Sequence, residues 1–388
     1  MAAVRVSRDP MSPLKAVVCK TSRALAVAEA GTSSEIKIEN HAGFIRVPVG
    51  IAGPLKIAGS EGTNGDFFAP LATVEPTLVA SCSRGSKAFT ASGGLEFKVL
   101  SEGMSRAPVF FFSTPAEALG FAGRVPALRD EFARAAEATS RFARLQTLTP
   151  HVVGANVHLC FSYATGDAAG QNMVTIATQA ACDDFLASDA AQELGVRDFV
   201  IEGDMASDKK GSWRNAMEPR GVQVLAWGNI THEVCVRVLK CSTERLYTVL
   251  MLMKEGQARN GGFGGNVNTA NVVAAMFIAC GQDAGSVAES AWTHLTTTYD
   301  ADSKKLNLSL FFPSLPVGTV GGGTMYPSQK VSLELLRCQD PGSKRRLAGL
   351  VACFCMALDV STAAAIASGG FTDAHKKLAR DRLDKSKL

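Results

Sequence analysis

The sequence predicts an α+β fold built from a large domain and a smaller inserted one, on three observations. The chain of 388 residues is 46% hydrophobic and 20% charged, which supplies a large core and exceeds the usual length of one compact unit. Between Ala107 and about Val200 the pattern runs strand, helix, strand, helix, strand, an α+β arrangement set inside a longer frame. The stretch Asn271 to Ala284 is apolar on nearly every side, as expected of a helix through the middle of a core.

Residues 1 to 35 are of mixed polarity and end in Gly31-Thr32-Ser33-Ser34, so they read as a short helical lead-in followed by a loop. From Ile36 to Leu55, β-branched residues alternate with Pro48, Gly50, Gly53 and Pro54, which suggests short strands and tight turns. A loop with Gly62, Asn64 and Gly65 leads to the first long helix. That helix is expected to begin near Glu75, because Pro76 suits a first helical position, where its missing N–H costs nothing. Within the inserted unit, Glu131 to Phe142 reads as helix and His151 to Tyr163 as strand. Gly261, Gly262, Gly264 and Gly265 punctuate the chain before the apolar helix, and Gly321-Gly322-Gly323 follows the strand-like Asn307 to Phe312.

Charge and cysteine usage exclude several classes. Forty basic against 36 acidic residues leave a net charge of +4, too small a field for a nucleic-acid partner. Ten scattered cysteines without a CxxC pair point to free, mostly buried thiols and to no metal site. The longest apolar run, Leu347 to Leu358, is shorter than the roughly 18 residues a membrane span needs, so no membrane span is expected. Arg5, Arg8 and Asp9 interrupt any secretory h-region. The chain finishes in Ser386-Lys387-Leu388, an address read by the peroxisomal import receptor, so a peroxisomal location is expected, with a cytoplasmic one as the alternative.

Four segments set ionisable residues in apolar or glycine-rich surroundings, where shifted proton affinities become useful. Glu75 stands at a helix start and reads equally as an N-terminal carboxylate favoured by the helix dipole. Asp208-Lys209-Lys210 is either a solvated turn or a source of an ammonium able to stabilise an alkoxide. Asp283, at the end of the apolar helix, needs a cationic partner. His375 is either a surface histidine or a general acid on a tail. The loop Thr165 to Met173 lies between a strand and a helix, so its backbone N–H groups suit a phosphate, although it is not a GxGxxG fingerprint.

These segments, in this order and spacing, resemble the 3-hydroxy-3-methylglutaryl-CoA reductase family, in particular the catalytic part of its eukaryotic (class I) type. The likeness runs from about Glu39 to Arg380 and rests on Glu39-Asn40-His41-Ala42-Gly43, Pro48 to Leu55, Thr139 to Gln146 and Gly318 to Thr324. It implies a catalytic quartet of Glu75, Lys209, Asp283 and His375. In that mechanism Lys209 stabilises the oxyanion and Asp283 holds it, Glu75 delivers protons, and His375 protonates the departing coenzyme A thiolate. The resemblance also implies that Ser81, Arg106, Asp208, Lys210, Lys254 and Asn271 hold the HMG-CoA substrate. It assigns Ser140, Arg141, Asp167, Ala168, Gly170, Asn172, Met173 and Arg380 to NADPH, with Arg141 and Arg380 set against the 2′-phosphate.

The implied architecture is a large domain with a buried central helix, Asn271 to Asp283, and a small ferredoxin-like nucleotide domain inserted in it. The divisions are 1–107 and 201–360 for the large domain, 108–200 for the small one and 361–388 for a tail carrying the histidine. The active site would form between subunits of a homodimer or homotetramer, with the Glu39 segment and the Asp208-Lys209-Lys210 loop at the interface; no sterol-sensing anchor is expected. Departures from the family pattern are Glu202 and Asp204 in place of Ser and Asn, Asn268 for His, Pro76 for Gly, Gln171 for Met, and Asp381 where animal members carry a phosphorylatable Ser. The first two motivate the alternatives of a paralogue that reduces another acyl-CoA, or a non-catalytic acyl-CoA-binding protein.

Overall fold

The computed structural model describes residues 12–28 and 36–372. An amphipathic helix α1 (Pro13–Ala28) leads in. A larger sheet takes the order β2-β1-β3-β8-β10-β9, with β1 Val49–Ser60, β2 Thr63–Ala72, β3 Leu95–Arg106, β8 Gly221–Ile230, β9 His294–Asp300 and β10 Lys305–Leu315. All its pairs are antiparallel except β1 with β3, which meet in parallel at Ile57 and Leu95.

Strand β3 leaves this sheet at its end: Met104, Ser105 and Arg106 pair instead with Tyr163, Ser162 and Phe161. They join a second group, β4 Val109–Phe111, β5 Arg144–Val153, β6 Asn156–Ala164 and β7 Asp198–Val200, in the order β7-β4-β6-β5. With helices α3 (Pro115–Glu137) and α4 (Gln171–Leu186), residues 109–200 follow a β-α-β-β-α-β path, the split βαβ order of ferredoxin-like units. Their aromatic cluster of Phe110, Phe121, Phe132, Phe161 and Phe185 is separate from the core under the larger sheet. Phe132 and Phe185 stand 4.7 Å apart, centroid to centroid, inside the range favoured by tilted aromatic pairs.

Local expectations fail where a single backbone conformation overrules the pattern. The helix predicted from Glu75 is α2, Leu78–Ala91, because Thr77 sits at φ 77 and turns the chain first. The loop predicted around Gly62 is a tight turn inside a hairpin, since β2 begins at Thr63. His151 to Tyr163 is two strands, broken where Gly154 turns at φ +61. The helix seen only from Glu131 starts at Pro115, despite Pro126 within it. Its start is capped from both sides, with Thr114 Oγ1 accepting from Glu117 N (3.3 Å) and Glu117 Oε2 accepting from Ser113 N, one residue before the cap (2.8 Å).

The expected central helix is shorter than predicted: α6 spans Thr269–Ala279, following α5 (Thr243–Asn260), because Gly281 at φ +69 ends it before Asp283. The helix that the core surrounds is α8, Ser343–Ala367, which follows α7 (Pro327–Leu335) and is buried without a break from Leu347 to Ser361. It is long and apolar enough by composition to cross a membrane, yet 78% of that apolar window lies inside the fold, where neighbouring elements take the place of lipid. Its small residues permit close crossings. A Cβ on Gly349 would come within 2.2 Å of the Phe97 ring, and one on Gly85 of α2 within 1.8 Å of the Ala357 carbonyl oxygen.

Candidate functional site

Three groups of predicted residues take shape. The first surrounds a cavity of about 480 Å³ between α2, α5, α6 and the end of α8, lined by Glu75, Ser81, Arg84, Asn268 and Asn271 together with Met253, Thr362 and Phe371. Ser81 Oγ lies 2.9 Å from Ser361 Oγ, and Arg84 Nε donates to that same hydroxyl at 2.9 Å. Asn268 Nδ2 donates to Thr362 Oγ1 at 3.1 Å, so its amide is turned to the wall. Ser361, Thr362 and Arg84 escaped the sequence reading; the available signal was a pair of hydroxyls interrupting an apolar helix.

The start of α6 beside this cavity is capped from another element. Asn268, at its N-terminus, makes no capping bond of its own. The carboxylate of Asp359, on α8, accepts from Val267 N (3.0 Å), Asn268 N (2.9 Å) and Thr269 Oγ1 (3.2 Å). Full burial pushes its carboxyl up to about 6, against the pull of those donors. Lys254 is outside the lining, next to Met253, and burial lowers its ammonium below the usual range.

The second group gathers around Lys209. Its Nζ is 3.1 Å from Asp283 Oδ2, with both side chains half exposed, so the partner that Asp283 required is Lys209. Asp283 leads a 3₁₀ turn, Ala284–Ser286, and its Oδ1 accepts from Gly285 N at 2.9 Å. The loop that carries Lys209 has three left-handed non-glycine residues, Asp204 (φ 66), Ser207 (φ 55) and Lys209 (φ 59). Each such conformation costs on the order of 1–3 kcal/mol and persists only where the surroundings impose it.

The other cations here are paired internally. Arg106 Nη1 meets Glu202 Oε2 at 3.1 Å and Asp208 Oδ2 at 3.9 Å. Lys210 Nζ meets Asp204 Oδ1 at 2.8 Å, and that hydrogen bond raises the Lys210 ammonium above its ordinary value. Beneath them Arg220, fully buried, pairs with Asp208 and with Glu289, whose carboxyl burial pushes up to about 7 against the Arg220 charge. The lining of the Glu75 cavity includes neither Lys209 nor Asp283.

The third group is the expected nucleotide segment. Gly170, at φ +90, leads α4, and a Cβ there would lie 2.3 Å from Thr165 Cγ2, so the turn requires glycine. The helix start holds Asn172 and Met173 and has no acidic residue in its first turn, which leaves its N–H groups and dipole suited to an anion. Asp167 is turned elsewhere: its carboxylate accepts from Gly342 N (2.8 Å) and Lys344 N (3.2 Å), capping α8. Ala168 bridges to Val320. The Arg141 guanidinium lies 5.6 Å over the Phe142 ring, and Ser140 Oγ accepts from Phe142 N; Phe142 in turn borders Gly166.

Side-chain amides bring the second and third groups together. Gln171 Nε2 donates to Ser286 Oγ at 3.2 Å, three residues beyond Asp283. Gln282 both donates to Gly318 O (2.9 Å) and accepts from Gly318 N (2.8 Å). Glycines at this junction permit close packing: a Cβ on Gly318 would meet Ala169 N at 2.3 Å and one on Gly281 would meet Gly323 at 2.3 Å, whereas Gly321 and Gly322 of the predicted cluster stand in open space at positive φ. His375, Arg380 and the Ser386-Lys387-Leu388 address lie outside the described residues.

The family model described as hydroxymethylglutaryl-coenzyme A reductase matches residues 21–380. The chain is 39% identical to 3-hydroxy-3-methylglutaryl-coenzyme A reductase of Aeropyrum pernix, over 89% of this chain and 82% of that one. It is 38% identical to the enzyme of that name from Halobacterium salinarum, over 91% and 86% of the two chains. It is 41% identical to a reductase of Hevea brasiliensis, over 89% and 60%. Among solved structures, a class II reductase of Streptococcus pneumoniae shares the fold with a TM-score of 0.68 at 17% identity, covering 92% of this chain and 97% of that one. With the model match running through all three groups of residues, the chain belongs to the hydroxymethylglutaryl-coenzyme A reductase family.

Proposed function

We infer that the protein reduces 3-hydroxy-3-methylglutaryl-CoA to mevalonate and coenzyme A with NADPH. The observation that carries this reading is the Lys209–Asp283 pair, 3.1 Å apart and half exposed beside the loop that leads α4. An ammonium already oriented by a carboxylate can neutralise the charge that grows on the acyl oxygen without reorganising at the moment of reaction. Glu75, in the cavity with Ser81 and Asn271, is the proposed proton donor to the aldehyde-level oxygen. His375 is the proposed acid for the coenzyme A thiolate.

The residues that lead α4 fit the anionic half of NADPH, because acidic residues are missing from its first turn and Asp167 is committed to α8. Arg141 offers a fork for the 2′-phosphate. The solved pneumococcal relative bound to NADPH supports the choice. When bound, NADPH supplies the hydride for each of two reductions. We assign residues 108–200 to nucleotide binding, supported by their own core, and favour the class I type on the 38–41% identity to archaeal and plant relatives.

Members of this family assemble, and we place the active site of this one between two subunits. Support comes from the exposed apolar segment before β1, where Phe44 is 67% and Ile45 94% exposed, and from a Glu75 cavity whose lining includes neither Lys209 nor Asp283.

A second reading, a paralogue acting on another acyl-CoA, is favoured by one observation: Glu202 and Asp204 occupy Arg106 and Lys210, two cations proposed for the substrate carboxylate. Following NADPH oxidation with HMG-CoA and with a panel of other acyl-CoAs separates the two. Turnover of HMG-CoA with two NADPH consumed per mevalonate is expected; turnover of the panel alone overturns the first reading. We also propose peroxisomal import through Ser386-Lys387-Leu388. A fluorescent fusion should form puncta that disperse when those three residues are deleted, and unchanged puncta would count against it.

A further inference from the structure

We propose that Arg220, held by Glu289, is a positioning residue for Lys209. Two bridges join the Lys209 loop to the segment that begins at Asp283. One is the half-exposed Lys209–Asp283 pair; the other is buried, with Arg220 Nη2 at 2.9 Å from Asp208 Oδ1 and Nη1 at 2.9 Å from Glu289 Oε1. Asp208 immediately precedes Lys209, and Glu289 lies six residues beyond Asp283. The buried bridge thus sets the register of one segment on the other, and the lysine meets its carboxylate as a result.

Three further features point the same way. Arg220 is itself fixed, its backbone N–H donating to Ser314 Oγ at 3.0 Å. Asn215, also buried, donates through Nδ2 to the carbonyls of Ser207 and Lys210, each at 3.1 Å, so it clamps the chain on both sides of Lys209. These contacts impose the left-handed turns at Ser207 and Lys209 that the residues would not adopt alone. The pair is also poorly satisfied as a stabilising device. Arg220 Nε has no hydrogen-bond partner among the described residues, and the Asp208 contact is an ion pair whose angle falls short of a hydrogen bond. Buried pairs of this kind add little net stability, so placement of the loop is the better account of them.

The inference rests on the reading of Lys209 as the reactive cation, and Lys209→Ala tests that reading independently. Arg220→Met is expected to lower kcat about 100-fold while KM for HMG-CoA and NADPH stays within about threefold, since displacement of a reacting group by an ångström costs about that much. Arg220→Met strands the buried Glu289, so the decisive protein is the double variant Arg220→Met, Glu289→Leu, in which both charges are gone and the denaturation midpoint recovers. If Arg220 positions Lys209, kcat stays about 100-fold down in the double variant. Arg220→Lys, a point charge in place of a fork, recovers only part of it. If kcat returns together with the midpoint, while Lys209→Ala remains inactive, the role is merely structural and the proposal fails.

Discussion

Replacing Lys209 by alanine is expected to lower kcat by about 10³-fold, the scale on which removal of one preorganised oxyanion donor acts. The fold should survive. Lys209 is exposed and already left-handed at φ 59, a strain that alanine inherits unchanged, and its ion pair with Asp283 is half exposed and adds little stability. KM for NADPH should stay near the native value, because the segment assigned to the cofactor contacts the Asp283 side through Gln171 and Ser286 instead of through the lysine. Steady-state kinetics and a melting curve on the same preparation decide the matter. Residual turnover above a tenth of native would remove Lys209 from the oxyanion role and, with it, the main support for the proposed mechanism.

The largest loss of stability is expected from Asp359→Ala. Its carboxylate is the acceptor for Val267 N–H, Asn268 N–H and the Thr269 hydroxyl, and truncation leaves three donors without that partner. The two backbone donors are part-buried and lose their acceptor at about 1–3 kcal/mol each, Thr269 keeps Thr293 Oγ1 at 3.2 Å, and relief of the carboxylate's own desolvation offsets part of the cost, so a net loss of about 2–3 kcal/mol follows. The start of α6 should loosen, and with it Asn268 and Asn271 on the cavity wall.

Asp359→Asn isolates the charge. In the folded protein the carboxyl titrates near about 6, against about 3.9 in an unfolded chain, so the native state holds this proton more tightly. Its contribution is therefore greatest below about pH 4 and is lost as pH rises through about 6, a span of about 3 kcal/mol as an upper bound. Denaturation at pH 5 and pH 7 should show the native protein gaining on the asparagine variant at the lower pH. A difference independent of pH would rule out this ionisation.

How much of this was legible beforehand differs residue by residue. That Asp283 needs a cation follows from chemistry, and the structure supplies Lys209; the helix expected to present it stops early because Gly281 adopts a positive φ that periodicity does not register. The first half of α3 went unread, although the N-cap signature Thr114-Pro115-Ala116-Glu117 was there to be read. The length of α8 was not legible from its longest apolar run, Leu347 to Leu358, because alanine and serine extend the buried helix beyond it.

Arg220, Asn215 and Glu289 were invisible for another reason. Each is an ordinary polar residue in its own segment, and only the crossing of β8, the short helix at Trp213–Met217 and the turn after Asp283 brings them to one loop. Local pattern carries no information about such meetings. Asp167 shows the opposite case: its segment resembles a nucleotide loop, but its carboxylate faces the start of α8.

The crossing at Gly85 bears on how this protein can change over time. Ser81 stands about one turn before that glycine and Arg84 adjoins it, so the cavity wall is bolted directly to the buried helix α8. No side chain fits at that crossing. Adaptation to a bulkier or differently shaped acyl group must then come from the opposite rim, at Met253 and Phe371, where side chains can be exchanged without moving a helix.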